Sequence, residues 1–332
     1  MHSRRIRLII SCLLLILFAA MVWLVSPSQP AFTRQRVRLR LPPVGTIAPG
    51  GYSWISQEEI LANTQGENGA SYIVWNVNTG SRRTIPHVDQ ILAKYPSKDS
   101  WSFSAHNGWL LFEAETESGD VTCLTKLDGS ETREMATRHQ FDGPPFWMHK
   151  QFGWLDIGLV GGTINNGLTL EQSRISAEFM PVLPIGFVTN DIFLSATNDL
   201  SISKSRQVLY PDYLDLEYWR LEARPVLTAA KRVRIHGDQI VSARSSPDGS
   251  HIVWVCRHSL PVPKLALDRR FPFFSFEPPY SIRLFESSYS AEQFSLLASL
   301  PTLGDFPIQW TPDSKSISFD YEDSLYLLEV DN

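Results

Sequence analysis

Cysteine is scarce: Cys12, Cys123 and Cys256 are the only three in 332 residues. Cys12 lies inside an apolar N-terminal run, so at most one disulfide can form beyond it. No C-x-x-C or comparable zinc spacing accompanies them, which excludes a disulfide framework and a zinc module. Cys123 and Cys256 read as buried thiols acting as small apolar side chains. Also missing are a G-x-S-x-G elbow, a P-loop and a G-x-G-x-x-G turn. The glycine-rich "LVGGTINNG" lacks the last of these spacings and a βαβ context, so it is expected as a hairpin loop. Helical signals are few; "SQEEILAN" looks like a helix cap but is short and surrounded by strand-like segments.

Acidic residues are absent from the first 40 positions, which hold seven arginines (Arg4, Arg5, Arg7, Arg34, Arg36, Arg38 and Arg40). The rest of the chain then has 23 bases against 35 acids. That balance excludes a general nucleic-acid footprint, which requires a basic surface to displace counterions. Hydrophobic content of 43% and aromatic content of 11% supply material for a large core.

After the leading arginines the chain is apolar from Leu8 to Val25, interrupted mildly by Ser11 and Cys12. This matches the length needed to cross a bilayer and exceeds a usual signal-peptide core. The expected organisation is a basic tail (1–7), a transmembrane anchor (8–25), a linker (26–34) and one domain (35–332). A cleaved signal peptide is the alternative for 8–25. Export of the domain is expected, although arginines on both sides of the run weaken the charge bias. No N-x-[ST] sequon occurs, in keeping with a periplasmic or cell-surface bacterial protein.

What fills the rest is a repeated turn and strand. "SSPDGSHIVWV" (Ser245 to Val255) and "WTPDSKSISF" (Trp310 to Phe319) share a Pro-Asp step followed by an apolar strand. "FSAHNGWLLF" (Phe103 to Phe112) keeps the interval, and weaker copies surround Trp54, Trp147 and Phe187. Each is followed by further short strands, an all-β pattern with a repeat near the propeller period. In "HIVWV", Ile252 and Trp254 face one way and Val253 and Val255 the other, all apolar. A strand dry on both sides fits between two neighbouring sheets.

The units "SPDGSHIVW" and "TPDSKSISF" resemble the TolB-like β-propellers, bacterial relatives of WD-repeat domains. The resemblance implies about six four-stranded blades, with five or seven left open because it is faint from Gly158 to Gly237. The last unit shows three strands, so "RVRLRLP" (Arg36 to Pro42) is expected to donate its outer strand; a basic juxtamembrane linker is the alternative. Some propellers of this kind are fused to serine peptidases, but this chain has no residues left for a hydrolase domain.

No catalytic, cofactor-binding or metal-ligating set emerges. Strand parity puts Cys256 and His258 on one face and His251 on the other. His106 and His149 fall in predicted turns, and Glu58, Glu59, Glu113, Glu115 and Glu117 read as solvated edges. One segment stands out: "LPVPKLALDRRFPFFSFEPPY" (Leu260 to Tyr280), far longer than a hairpin needs. Its Arg269, Arg270, Phe271, Phe273, Phe274, Phe276 and Tyr280 have the composition of a partner-binding hot spot. A lid burying those rings on the propeller is the alternative. The expected function is a membrane-tethered, non-catalytic propeller binding a protein or glycan at the cell envelope. The alternative is an envelope enzyme of lactonase, lyase or glycan-cleaving type, with its site in the central channel.

Overall fold

A computed structural model describes residues 12, 14–16, 18–19, 31–33, 35–40, 46–66, 69–88, 90, 104–116, 119–136, 146–148, 152–158, 161–175, 183–189, 191–197, 213–222, 224–235, 238–259, 280–301, 308–321 and 324–330. Among them, 25 strands form six separate antiparallel sheets, the blades of a propeller. Blade 1 comprises Thr46–Trp54, Glu59–Gly66, Gly69–Asn76 and Arg82–Thr84; blade 2 comprises Ser104–His106, Trp109–Thr116, Gly119–Lys126 and Thr132–Ala136. Blade 3 takes Phe146–Trp147, Gly153–Gly158, Gly161–Asn166 and Gln172–Arg174; blade 4 takes Leu183–Phe187, Ile192–Thr197, Tyr213–Arg220 and Val226–Arg234. Blade 5 follows with Gln239–Ser245, His251–Ser259, Tyr280–Ser288 and Ser295–Leu300. Blade 6 has Gln309–Trp310, Ser316–Tyr321 and Ser324–Glu329.

The missing outer strand of blade 6 comes from the other end of the chain. Gln35–Arg40 pairs antiparallel with Ser324–Glu329, placing Arg38 opposite Tyr326 and Leu39 opposite Leu325. This is the donation expected of the basic segment. Just before it, inside the stretch expected as linker, Ala31–Phe32 pairs with Ser299 and Ala298 on the outer edge of blade 5. Phe32 then stacks on Tyr326 of blade 6, with ring centroids 4.8 Å apart. The amino end thus clasps two blades and covers edges that would otherwise stay open.

One hydrogen bond repeats six times and shows that the blades are equivalent. In each, the amide just after the third strand donates to the carbonyl of the turn between the first two. The pairs are Val77 to Glu58, Leu127 to Gly108, Gly167 to Phe152, Leu221 to Asp191, Tyr289 to Ser250 and Val330 to Lys315. Blades 3 and 4, where the family resemblance is faintest, keep the bond and the four-strand order.

The core is divided in the same way, with one apolar cluster at each junction between neighbouring blades. Leu61 and Val74 meet Leu110 and Phe112 between blades 1 and 2; Leu111 and Leu124 meet Trp154 between blades 2 and 3. Leu155 meets Phe187 and Phe193 between blades 3 and 4, and Tyr52 and Trp75 meet Leu325 between blades 1 and 6. The strand of the Pro-Asp-Gly unit serves two junctions at once. Ile252, Trp254 and Cys256 pack on Leu194, Leu214 and Leu216 of blade 4. Val253 and Val255 pack on Ile317 and Phe319 of blade 6. All five are at most 1% exposed. Burying each such side chain contributes about 1.5–3 kcal/mol, which explains the absence of polar alternation.

The two Pro-Asp turns share one bonding scheme. Ser246 Oγ donates to Asp248 and accepts from the His251 amide; Thr311 Oγ1 donates to Asp313 and accepts from the Ser316 amide. Asp248 and Asp313 in turn accept the amides of Ser250 and Lys315. Gly249 has φ +74°, and a Cβ there would lie 2.3 Å from the Val188 carbonyl oxygen of blade 4. Only glycine permits that approach. In blade 6 the matching residue is Ser314, φ +61°, whose hydroxyl accepts the amide of Asp248.

The run "SQEEILAN" belongs to its strand-like surroundings: Ser56 Oγ accepts the amides of Glu58 and Glu59 to close a β-turn, and Glu59–Gly66 is a strand. One expectation needs correction: "LVGGTINNG" is more than a hairpin loop, because Gly161–Asn166 is a full strand paired with Gly153–Gly158. A Cβ at Gly162 would touch Leu155 and Ile175 at 3.3–3.4 Å, so the glycine suits a crowded strand position.

Candidate functional site

A propeller has two unlike faces, and here they differ sharply. One carries the turns between first and second strands and between third and outer strands, held by the six recurring hydrogen bonds. The other carries the connections from second to third strand. In blades 1, 2, 3 and 6 these are two residues long (67–68, 117–118, 159–160 and 322–323). In blade 4 the connection is 15 residues (198–212), and in blade 5 it is 20 (260–279). The two long connections therefore leave adjacent blades on one face.

The aromatic segment singled out by sequence is the longer of these. Arg269, Arg270, Phe271, Phe273, Phe274 and Phe276 lie outside the described residues. Tyr280 opens the third strand of blade 5, where its backbone pairs with Ser259.

At the root of that segment is a cluster that sequence reading missed. Asp238, 1% exposed, accepts from His258 Nδ1 at 2.9 Å and from Arg283 Nη1 at 3.4 Å. His258 and Arg283 flank the 20-residue connection on the second and third strands, and Asp238 precedes the first. A buried carboxylate requires such compensation. Cys256, beside them in register, offers no thiolate: burial first, then the Asp238 charge, push its pKa well above the usual thiol range. The triad ties together the three strands beneath the long connection. The only sequence signal was an isolated acid just ahead of an inner strand.

Strand parity holds for the histidines. His251 faces blade 6, 6.4 Å from the Trp310 ring and 3.3 Å from Glu286, away from Cys256 and His258. Among the described residues no three His, Cys, Asp or Glu side chains group to hold a metal. His106 ends an inner strand instead of sitting in a turn, and stacks on Trp147 at 5.0 Å. Glu58 is exposed as expected, whereas Glu59 is half-buried and pairs with Arg83 at 2.8 Å. His149 and the side chains of Glu113, Glu115 and Glu117 lie outside the described residues.

The inner strands surround the axis and are tied to one another. Trp310 Nε1 donates to the Arg244 carbonyl, Gln309 Nε2 to the Tyr52 carbonyl, the Ala105 amide to Ser53 Oγ, and Trp147 Nε1 to Ser104 Oγ. None of the six inner strands contains Asp or Glu; His106 and Arg244 are their only titratable groups besides Tyr52. Paired carboxylates for acid–base catalysis are therefore absent from these strands.

No protein-family model and no curated protein matches the chain. Among solved structures, a chain of the mitotic checkpoint complex is 15% identical, with 92% of this chain and 98% of that chain covered at a TM-score of 0.49. The WD40 repeats of RRP9 are 10% identical, with 91% of this chain and 100% of that chain covered at a TM-score of 0.48. The blade count of the present chain rests on its own hydrogen-bonded sheets.

Proposed function

We propose that this chain is a membrane-tethered, non-catalytic propeller of the bacterial envelope, kin to the TolB-like family. It holds a protein partner on the face where blades 4 and 5 carry their long connections. The observation that carries the reading is that asymmetry: in four blades two residues separate the second strand from the third, while in two adjacent blades 15 and 20 residues separate them. Rigid blades displaying long connections are a common way to present a binding surface. The Arg269–Tyr280 stretch adds aromatic and arginine side chains suited to an interface core. The absence of carboxylates from the inner strands favours binding over channel chemistry.

The tether rests on residues 8–25, most of which lie outside the described residues. Cys12, Leu14, Leu15, Ile16, Phe18 and Ala19 are helical, and Leu14, Leu15, Ile16 and Phe18 are 61–66% exposed. Exposed apolar side chains on a helix suit a lipid environment. Among the described residues no helix is long and apolar enough to cross a membrane.

Affinity capture from solubilised envelopes tests the binding face. The native chain, a Phe273→Ser/Phe274→Ser variant and a Lys315→Glu variant on the opposite face are compared. Loss of one protein with the first variant alone is expected. Equal recovery from all three, or recovery of a glycan in place of a protein, overturns the reading. Alkaline carbonate extraction tests the tether: the intact chain should stay with the membrane, and its release removes that part.

A further inference from the structure

We propose that the central channel binds an oxyanion, the phosphate or carboxylate of a small ligand, on the guanidinium of Arg244. Arg244 stands on the inner strand Gln239–Ser245, two residues before the turn at Ser246. Its guanidinium lies over the ring of Phe146 in blade 3, with Cζ 4.7 Å from the centroid. On the inner strand of blade 4, Gly186 has φ +138°, and a Cβ there would lie 2.1 Å from Ser245 Oγ of blade 5 and 3.8 Å from the Phe146 ring of blade 3.

The cation has no counter-charge. Arg83, Arg232 and Arg283 each meet a carboxylate within 3.4 Å. Arg244 makes no side-chain hydrogen bond or ion pair with any described residue, and no inner strand supplies an acid. Burial alone pulls its pKa from 12.5 down to about 10, leaving it charged at neutral pH. A ring face answers part of a guanidinium's charge but accepts none of its five N–H donors. A half-buried fork lying over an aromatic ring, with donors that no described residue engages, is suited to bidentate oxyanion recognition. The site is separate from the face of long connections and does not depend on that reading.

The test is calorimetric titration and thermal melting of the full chain with inorganic phosphate and with succinate, against chloride at matched ionic strength. At least one oxyanion should bind saturably and raise the melting temperature; which one responds identifies the ligand chemistry. Arg244→Met should weaken binding on the order of tenfold to a hundredfold. Its own melting temperature should be no lower than that of the native chain, because an uncompensated charge is removed. If Arg244→Met does not fold, Arg244→Lys replaces it, with several-fold weaker binding expected from loss of the planar fork. Absence of saturable binding by both anions, equal binding to the variant, or a marked fall in the variant's ligand-free melting temperature would overturn the proposal.

Discussion

Ser318 shows how much of a ring can depend on one hydroxyl. It is fully buried in blade 6, shares a hydrogen bond of 2.9 Å with Tyr52 Oη and accepts Trp54 Nε1 at 2.8 Å, both from blade 1. Ser318→Ala leaves an indole N–H and a phenol without their shared partner in a dry setting. We expect a loss of about 1–3 kcal/mol in urea unfolding, against no measurable change for exposed Ser81→Ala. Asp248 governs a pH effect at the same scale. Burial alone would raise its pKa, but hydrogen bonds from Ser246 and Ser250 outweigh burial and hold it below the usual 3.8. A depressed carboxylate stabilises the fold above its unfolded pKa, and that contribution disappears as pH falls through the lower folded value. The native chain should therefore exceed Asp248→Asn in urea midpoint at pH 7, and the gap should begin to close below about pH 4 and go on closing as pH falls. A gap that stays constant down to pH 2 would show that the ionised form is not the stabilising one.

Strands carried the clearest message in the sequence, and also its main ambiguities. The double-sided apolar strand His251–Ser259 was legible because its buried stretch, Ile252 to Cys256, touches two blades and no water. The donated strand Gln35–Arg40 was legible because the last unit was one strand short. Blade 4 was obscure for a physical reason: its turn between the first two strands has no Pro-Asp step, and Thr189 Oγ1 accepts the amides of Asp191 and Ile192 instead. In blade 3 the turn after the third strand is closed by Asn166 Oδ1 accepting the amides of Leu168 and Thr169. Asn76 does the same in blade 1 for Asn78 and Thr79. Deleting residues 31–40 should test the clasp, since it exposes the edges of Ser324–Glu329 and Ser295–Leu300 together. A lower melting temperature and concentration-dependent association through the freed edges are expected. Unchanged melting and a monomeric profile on sizing would show the clasp to be dispensable.

At the scale of the whole molecule, closure changes how stability is shared. An open array of repeats frays from its ends, whereas here every blade has two neighbours and the six clusters form a circuit. Trp154 and Trp254, both 0% exposed, report from the junctions of blades 2 with 3 and 4 with 5. Tryptophan fluorescence and far-ultraviolet circular dichroism should therefore give coincident urea transitions. Separate transitions would mean that the ring opens in stages.

Sequence alone determined the all-β class, the repeat, the dry strands and the donated outer strand, because each follows from neighbours a few residues away or from a deficit that can be counted. Tertiary structure decided the number of blades, the pairing of Ala31–Phe32 with blade 5, and the meeting of Asp238 with His258 and Arg283. It also brought Arg244 against Phe146. Those contacts join residues from separate strands, most of them far apart in the chain, and no local pattern of polarity encodes which blades become neighbours once the ring has closed.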